Sequence, residues 1–377
     1  MLEHAKKALR RRAVATLAKS PPLLKAALAI RSSITGHLPS AAAASPLTRE
    51  PAPSFSFPAL LAVTDFVAVD VGAAHWLPHH WRPYANEFDF VLVEPDPAAC
   101  KGLDAEVARL ARGTQRYSIV RAAVSGTGGT RPFYRTNQPT GSSMLKPAVL
   151  QEDDRALFDF PGAADGSDYV FPVTEMEIET ITLAEVMGRT RHNAFHMIKL
   201  DTQGTELEIV QGLGEKLTET VLVQMETGDH GFYLGKVGLA DTLHYMSAQG
   251  FRLFDLQLAR SELPLRGSPP EGYASLFPSS AGRDPALVNR LWEVDAVFVR
   301  DPVIVAKDGN AAALRRIIVA LCVYRMFGEA FHLTGIGELK GLWDASAASR
   351  YRRDIIACHR ALRQKLDQGY RLHWERL

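Results

Sequence analysis

Short runs of mostly apolar residues alternate along the chain with longer segments of helical periodicity. The runs Phe66–Val71 (FVAVDV), Phe88–Glu94 (FDFVLVE) and Tyr117–Val124 (YSIVRAAV) predict three successive strands. Helical periodicity over Ala98–Ala111 separates the second strand from the third. Strands that alternate with helices in this way are typical of a doubly wound parallel sheet.

Four more runs continue the pattern towards residue 300. Met197–Leu200 predicts a fourth strand, Thr220–Glu226 a fifth, Phe251–Leu256 a sixth and Val294–Val299 a seventh. We therefore predict an α/β fold with seven strands in its sheet. The folded domain is placed at residues 60–302.

The remainder of the chain has three different compositions. Residues 1–36 combine Ala and Leu with Lys and Arg, which indicates a basic amphipathic helix. Such a helix either lies on an anionic membrane surface or is a solvated or partner-packing helix. Residues 37–59 contain five prolines among alanines and serines and have the composition of a linker. Residues 303–377 are expected to form a helical C-terminal extension.

Charge and cysteine content exclude several classes of protein. The formal net charge of +1 argues against a dedicated nucleic-acid binder, which usually carries a strongly basic face. The three cysteines are far apart and form no CxxC pair, which fits a reducing cytoplasm. No apolar run approaches the roughly 20 residues of a membrane span. We expect a cytoplasmic protein whose contact with a membrane, where it has one, is peripheral and made by the N-terminal helix.

Acidic residues stand at the ends of several predicted strands. Asp70, Glu94 and Asp201 each lie at the carboxyl end of a strand, which borders the crevice where open α/β sheets bind ligands. The alternative for Asp201 is that it merely caps the helix that follows. Strand-end acids of this kind hold ribose hydroxyls by charge-assisted hydrogen bonds.

The loop after the first strand argues against a dinucleotide. Residues 72–77 (GAAHWL) contain one glycine and lack the GxGxxG cradle that a diphosphate requires. A dehydrogenase is therefore disfavoured. A nucleoside cofactor without phosphate fits better, and S-adenosylmethionine is such a molecule.

Residues 60–300 resemble the FkbM-like family of S-adenosylmethionine-dependent methyltransferases. The resemblance rests on these segments, in this order: VAVDVGA, VLVEPDP, RAAVSGTGG, TGSSM, IKLDTQGTELEIVQG, VLVQMETGDHGFYLG and VDAVFVRDP. It implies a Rossmann-like, mostly parallel sheet whose last strand is antiparallel, with helical N- and C-terminal appendages. The chain departs from the family pattern at Ala74, His75 and Trp76, where an Asn and a second Gly are common.

The resemblance also implies roles for individual residues. Asp70 and Gly72 would line the methionine end of the cofactor, together with Ala73 of the same loop. Glu94 would hold the ribose hydroxyls. The adenine would lie near Ala122 and Ala123, and the methyl group and its acceptor would face Asp201.

Transfer of a methyl group to an alcohol requires a carboxylate or imidazole that accepts the hydroxyl proton. Asp201 is the first candidate for this catalytic base, and Glu226 and His230 are its rivals. Lys199 lies on the same face as Asp201, so it pairs with Asp201 or Glu226 and keeps the carboxylate ionised, or it forms a plain salt bridge. Glu206 is either catalytic or a first-turn acid favoured by the helix dipole.

No metal site is predicted. His75, His79 and His80 form a small group, but no acid or cysteine stands beside them in a recognised ligand spacing.

Two classes of function follow from the sequence. The first, implied by the family, is an S-adenosylmethionine-dependent O-methyltransferase that acts on a hydroxyl of a sugar or glycan. The second is a non-catalytic adapter with a degenerate cofactor pocket, which docks on a membrane surface or a protein partner. Three strand-end acids favour the enzyme, because an idle pocket has no physical need for them.

Overall fold

The computed structural model describes residues 55–74, 77–110, 116–137, 139–147, 173–228, 233–260 and 291–367. The strands within these ranges are β1 (Val67–Val71), β2 (Asp89–Val93), β3 (Tyr117–Val120), β4 (Ala123–Val124), β5 (Gly129–Arg135), β6 (Thr174–Ile181), β7 (Met197–Leu200), β8 (Leu222–Thr227), β9 (Phe251–Arg260) and β10 (Leu291–Arg300). The α-helices are α1 (Pro58–Leu61), α2 (Pro97–Leu110), α3 (Leu183–Gly188), α4 (Glu206–Gln211), α5 (Leu239–Ala248), α6 (Pro302–Lys307), α7 (Ala311–Val323), α8 (Phe327–Leu339) and α9 (Ala345–Asp367).

Seven of the strands form one sheet in the order β3-β2-β1-β7-β8-β10-β9. Neighbouring strands from β3 to β8 run parallel, whereas β10 runs antiparallel to both β8 and β9. The predicted α/β fold is confirmed, including the antiparallel last strand. That strand enters the sheet between the fifth and sixth strands of the prediction.

Both faces of the large sheet are covered, which explains why its strands are nearly continuous apolar runs. Alternate residues of β1 point to opposite faces. Val67, Val69 and Val71 pack in the cluster that contains residues of α3, α4 and α5. Ala68 packs in the other cluster, with residues of α7, α8 and α9.

The C-terminal helices form one of these covering layers. Leu314, Ile317, Ile318 and Leu321 of α7 are buried against the sheet. A helix that is apolar almost all round has to lie inside a protein. The predicted C-terminal helices are thus present as α7 to α9, and they pack on the sheet as a covering layer.

The other end of the domain begins before residue 60. Phe55 and Phe57, which fall within the predicted linker, are buried, and the ring of Phe57 stacks on Tyr84 at a centroid distance of 5.3 Å. The carboxylate of Asp354 on α9 accepts hydrogen bonds from the backbone N–H groups of Ala59 (2.8 Å) and Leu60 (3.0 Å). These contacts fasten α1 to the C-terminal layer.

The predicted third strand, Tyr117–Val124, is divided between two sheets. β3 ends at Val120, and β4 joins a second, three-stranded sheet in the order β4-β6-β5. The turn at Ala122, whose N–H donates to the Val120 carbonyl oxygen at 3.1 Å, carries the chain from one sheet to the other.

Several predicted segments lie outside the described residues. They are the basic N-terminal helix, the linker up to residue 54 and residues 368–377 of the C-terminal extension. Among the helices that are described, none combines the length and the apolar character needed to cross a membrane.

Candidate functional site

Three of the predicted acids meet at one edge of the large sheet. β2, β1 and β7 are neighbours, and Val71 of β1 is in register with Val93 of β2 and Leu200 of β7. Asp70 precedes this level by one residue, while Glu94 and Asp201 follow it by one residue. The carboxyl ends of three adjacent parallel strands therefore present a row of carboxylates to the crevice.

The loop that follows β1 is held tightly against this row. The backbone N–H groups of Gly72 and Ala73 donate to the Val93 carbonyl oxygen at 3.0 and 3.2 Å. Gly72 has a φ of +87°, and a Cβ atom at this position would collide with the carbonyl oxygen of Asp201. Only glycine satisfies both conditions, so Gly72 brings the first loop and the Asp201 loop together.

Lys199 lies between two of the carboxylates. Its Nζ donates to Asp201 Oδ2 at 3.1 Å and to Asp70 Oδ1 at 3.4 Å. Burial lowers the pKa of Lys199, but the charges of Asp201 and Asp70 outweigh it and raise that pKa, so the side chain is a cation. Of the two partners that we considered for Lys199, the structure pairs it with Asp201, and it adds Asp70.

The two carboxylates respond differently to Lys199. Burial raises the pKa of Asp70, which is almost inaccessible, and the ammonium only partly opposes that shift. Burial also acts to raise the pKa of Asp201, but Lys199 and the amide of Gln203 outweigh it and hold that pKa below its ordinary value. The Asp201 carboxylate is therefore ionised at neutral pH, and its side chain remains 44% exposed.

Gln203 joins two of the predicted catalytic residues. Its Nε2 donates to Asp201 Oδ1 at 3.1 Å and to Glu226 Oε2 at 3.2 Å. Gln203 has a φ of +61°, unusual for a residue with a side chain, and its carbonyl oxygen accepts a hydrogen bond from Ser143 Oγ at 2.8 Å. Gln203 is not among the residues predicted from the sequence, where it stands in the loop after the fourth predicted strand.

Glu226 has a cation partner of its own. Lys236 Nζ donates to Glu226 Oε1 at 2.6 Å, and Lys236 is nearly buried. Glu226 and Asp201 each have one oxygen bonded to a lysine and the other to Gln203. They differ in exposure, since the side chain of Glu226 is 12% exposed and that of Asp201 is 44% exposed. Asp201 is therefore better placed than Glu226 to meet an acceptor.

Glu206 stabilises the loop that connects β7 to α4. Its buried carboxylate accepts backbone hydrogen bonds from Thr202 (2.9 Å) and Gly204 (3.0 and 2.9 Å). Burial, reinforced by the charge of Glu226, raises the pKa of Glu206 to about 7. These contacts support the non-catalytic interpretation of this residue.

Glu94 has no cation partner among the described residues. Its side chain is 6% exposed, and its Oε1 accepts one hydrogen bond, from the Asp96 N–H at 2.8 Å. Burial raises the pKa of Glu94 to about 7. Within the described part of the chain its second oxygen makes no hydrogen bond, so that oxygen can accept one from a ligand.

The two alanines assigned to the adenine side are not equivalent. The N–H of Glu94 donates to the Val120 carbonyl oxygen at 3.1 Å, so the end of β3 lies beside the row of acids. Ala122 lies two residues after Val120 and is half-buried. Ala123, the first residue of β4, is buried. Of the two, Ala122 is the one with accessible surface at this edge.

Some predicted residues cannot be placed. His230, the third candidate base, lies outside the described residues. So do His75 and Trp76 of the loop after β1, which differs from the family pattern. Among the residues that the structure does describe, no group of three His, Cys, Asp or Glu side chains has the arrangement of a metal site.

The structure adds Asp295 to the site. Asp295 on β10 stands opposite Glu226 on β8 and accepts a hydrogen bond from the Gln224 side chain, and burial raises the pKa of Asp295 to about 6. The hydroxyl of Tyr324 donates to Gln224 Oε1 at 2.7 Å. Asp295 is not among the residues predicted from the sequence, although a single acid within the apolar run VDAVFV is a signal that could have identified it.

Part of the chain matches the model of a known protein family. The model of the methyltransferase FkbM domain matches residues 70–253, a range that contains every predicted site residue. The resemblance identified from the sequence is thereby confirmed over that range. No curated protein matches the chain.

Two solved structures of similar proteins are methyltransferases. A methyltransferase FkbM from Methylobacillus flagellatus is 12% identical, with a TM-score of 0.31, and the match covers 67% of this chain and 46% of that protein. A precorrin-6y C5,15-methyltransferase from Geobacter metallireducens is 10% identical, with a TM-score of 0.26, over 64% of this chain and 84% of that protein. The chain thus spans less than half the length of the first of these proteins.

Proposed function

We propose that this methyltransferase, whose residues 70–253 form an FkbM methyltransferase domain, uses S-adenosylmethionine to methylate a hydroxyl of a sugar or glycan. The observation that carries the proposal is the row formed by Glu94, Asp70 and Asp201 at the ends of three adjacent strands. Each of these acids has a different environment, and each environment suits a different part of the reaction.

The residues present fit this cofactor. S-adenosylmethionine carries a sulfonium, an ammonium and a ribose diol, all of which are attracted to carboxylates, and it has no phosphate. The site is rich in acids, and its first loop lacks a phosphate cradle. Glu94, whose second oxygen is available, would hold the ribose, and the buried Asp70 would face the methionine end. The bound cofactor supplies an electrophilic methyl group.

Asp201 would orient the acceptor. Its carboxylate is ionised, partly exposed and fixed on both sides by Lys199 and Gln203. A carboxylate of lowered pKa is a weak base, so its main contribution is to align the hydroxyl and accept its hydrogen bond while the new C–O bond forms. Alignment is the larger need, because the sulfonium is already a good leaving group.

The surroundings of Asp201 favour a polyhydroxyl acceptor. Gln203, Glu226 and Lys236 place amide, carboxylate and ammonium groups next to one another in the crevice. Such groups bind neighbouring hydroxyls of a sugar through several hydrogen bonds. The resemblance to FkbM-like methyltransferases, many of which act on sugars, supports the same class of acceptor.

Two measurements test the proposal. Calorimetric titration with S-adenosylhomocysteine is expected to show saturable binding at one site. Transfer of a labelled methyl group to a panel of sugars is expected to fall about 10²–10⁴-fold in Asp201→Asn, with cofactor affinity little changed. Glu177→Gln, which removes an exposed acid from β6, is the matched control and should retain activity.

Either measurement can contradict the proposal. A chain that gives no heat with S-adenosylhomocysteine would be better described as the adapter. Full methyl transfer by Asp201→Asn would remove Asp201 from the reaction and leave Glu226 as the next residue to replace.

A further inference from the structure

Helix α9 presents two very different faces. The inner face is apolar and buried, and it includes Ala348, Tyr351, Ile355 and Leu362. The opposite face is exposed and carries four arginines at helical spacing, namely Arg350, Arg353, Arg360 and Arg363. At a rise of about 1.5 Å per residue these side chains extend along roughly 20 Å of the surface.

The positive charge of this face is largely uncompensated within the described residues. Arg350 and Arg353 donate to the hydroxyls of Ser346 (2.8 Å) and Ser349 (3.3 Å), and not to carboxylates. Arg363 has a carboxylate nearby, Asp367 at 3.6 Å, with both side chains mostly exposed. An exposed pair of this kind contributes little.

The remaining acid of this helix does not face outward. Asp354 is buried and accepts hydrogen bonds from the backbone of α1. It therefore leaves the charge of the outer face intact. Four arginines in a row, with Asp367 as the one exposed acid of α9, attract an extended anion.

Apolar side chains are exposed among these arginines. Ile356 is 37% exposed, with Arg353 and Arg360 three residues before and four residues after it on the same face. Phe331 of α8 is 42% exposed, and the guanidinium of Arg352 lies 5.5 Å from the centre of its ring. Arg352 thus connects Phe331 to the arginines of α9.

We propose that this surface, the basic face, binds the anionic phospholipids of a membrane. It consists of Arg350, Arg353, Ile356, Arg360 and Arg363 of α9 together with Phe331 of α8. The arginines would contact lipid phosphates while Ile356 and Phe331 enter the region between headgroups and acyl chains. Basic residues combined with exposed apolar ones are the composition of an interfacial surface. A nucleic acid or an anionic glycan would use the arginines but gain nothing from burying Ile356.

Sedimentation of the full chain with lipid vesicles tests the basic face. Binding is expected with vesicles of phosphatidylcholine and phosphatidylglycerol, to weaken with added salt, and to be absent with phosphatidylcholine alone. Replacing Arg353, Arg360 and Arg363 together by Gln is expected to weaken partitioning on the order of 100-fold, since each basic residue at an anionic surface contributes about a factor of five.

The control removes the same charge elsewhere. Arg109, Arg121 and Arg191 are exposed and pair with acids far from α9 along the chain, and replacing all three by Gln should leave vesicle binding unchanged. Unchanged binding by the α9 triple variant would overturn the proposal and direct attention to residues 1–36. So would the absence of any preference for phosphatidylglycerol.

A neutral substitution separates a membrane from other anions. Ile356→Ser keeps every charge, so it is expected to weaken vesicle binding several-fold and to leave retention on heparin or an oligonucleotide unchanged. A different outcome would refute the membrane proposal. If Ile356→Ser bound vesicles like the wild type, and the arginine triple variant lost both vesicle binding and retention on heparin, the basic face would be a general polyanion site.

Discussion

Affinity for the cofactor is expected to fall as the pH drops below 7, because Glu94 then takes up a proton. Burial raises the pKa of this carboxyl to about 7 in the free protein. Ribose hydroxyls donate to the ionised carboxylate, so the ligand binds the deprotonated form better and lowers the pKa of Glu94 in the complex. The affinity for the cofactor is therefore highest above the pKa that Glu94 has in the free protein, and it decreases below that pKa.

The size of the effect follows from the free pKa. At about pH 8 nearly all of the Glu94 carboxyl is ionised, whereas at about pH 6 only roughly one tenth is. The dissociation constant of S-adenosylhomocysteine should therefore rise about tenfold between these two conditions, which corresponds to ~1.4 kcal/mol. The increase continues towards lower pH until the pKa of the complex is reached.

Calorimetric titration with S-adenosylhomocysteine at several pH values measures this effect, and Glu94→Gln is the decisive comparison. It should bind more weakly than the wild type at about pH 8, by about 1.5–3 kcal/mol for the lost charged hydrogen bonds, and its affinity should vary little with pH. Asp295 and Glu206, whose pKa values are raised to about 6 and about 7, titrate in the same range. An equally steep pH dependence in Glu94→Gln would assign the effect to those residues and refute the reasoning.

Three further predictions concern stability, measured by urea unfolding. Gly72→Ala should lower the free energy of unfolding by more than about 2 kcal/mol, because of the positive φ and the contact with the Asp201 backbone. Gly102→Ala, in open space on α2, should raise it by up to ~1 kcal/mol. Similar effects of the two substitutions would refute the close approach of Gly72 to Asp201. Lys199→Met should cost about 3–5 kcal/mol by leaving Asp70 buried without its cation, and Asp70→Asn in the same chain should restore most of that loss. The pKa of Glu206 rises from 4.5 to about 7 on folding, so this residue should lower the free energy of unfolding by up to ~3 kcal/mol as the pH rises through this interval. The decline should be smaller by that amount in Glu206→Gln, where Glu94 and Asp295 still titrate, and parallel curves for the two proteins would contradict the prediction.

The sequence predicts the row of acids well because each position is defined locally. Asp70, Glu94 and Asp201 are found at strand ends from the apolar runs alone, and parallel strands bring their carboxyl ends to one edge. The same logic does not reveal which side chains touch across the crevice. Gln203 and Glu226 are 23 residues apart, and their contact depends on the left-handed backbone at Gln203.

The departures from prediction have physical causes too. The run Tyr117–Val124 is mostly apolar over its whole length, and periodicity does not show that its last two residues pair with β6 instead of β2. The sequence of α7 did contain a usable signal, since ALRRIIVALCV is too apolar for a solvated appendage. Its role became visible only with the sheet face that it covers.

The hydrogen bonds from Ala59 and Leu60 to Asp354 join positions almost 300 residues apart and have a consequence for synthesis of the protein. One face of the sheet receives a large part of its cover from α7 to α9, which are translated after all seven of its strands. Until these emerge from the ribosome, that face of the nascent chain stays open to water, to chaperones and to other chains. Contacts so distant in sequence also slow folding. The interval between completion of the strands and arrival of α7 to α9 is therefore the period in which this protein is most exposed to aggregation.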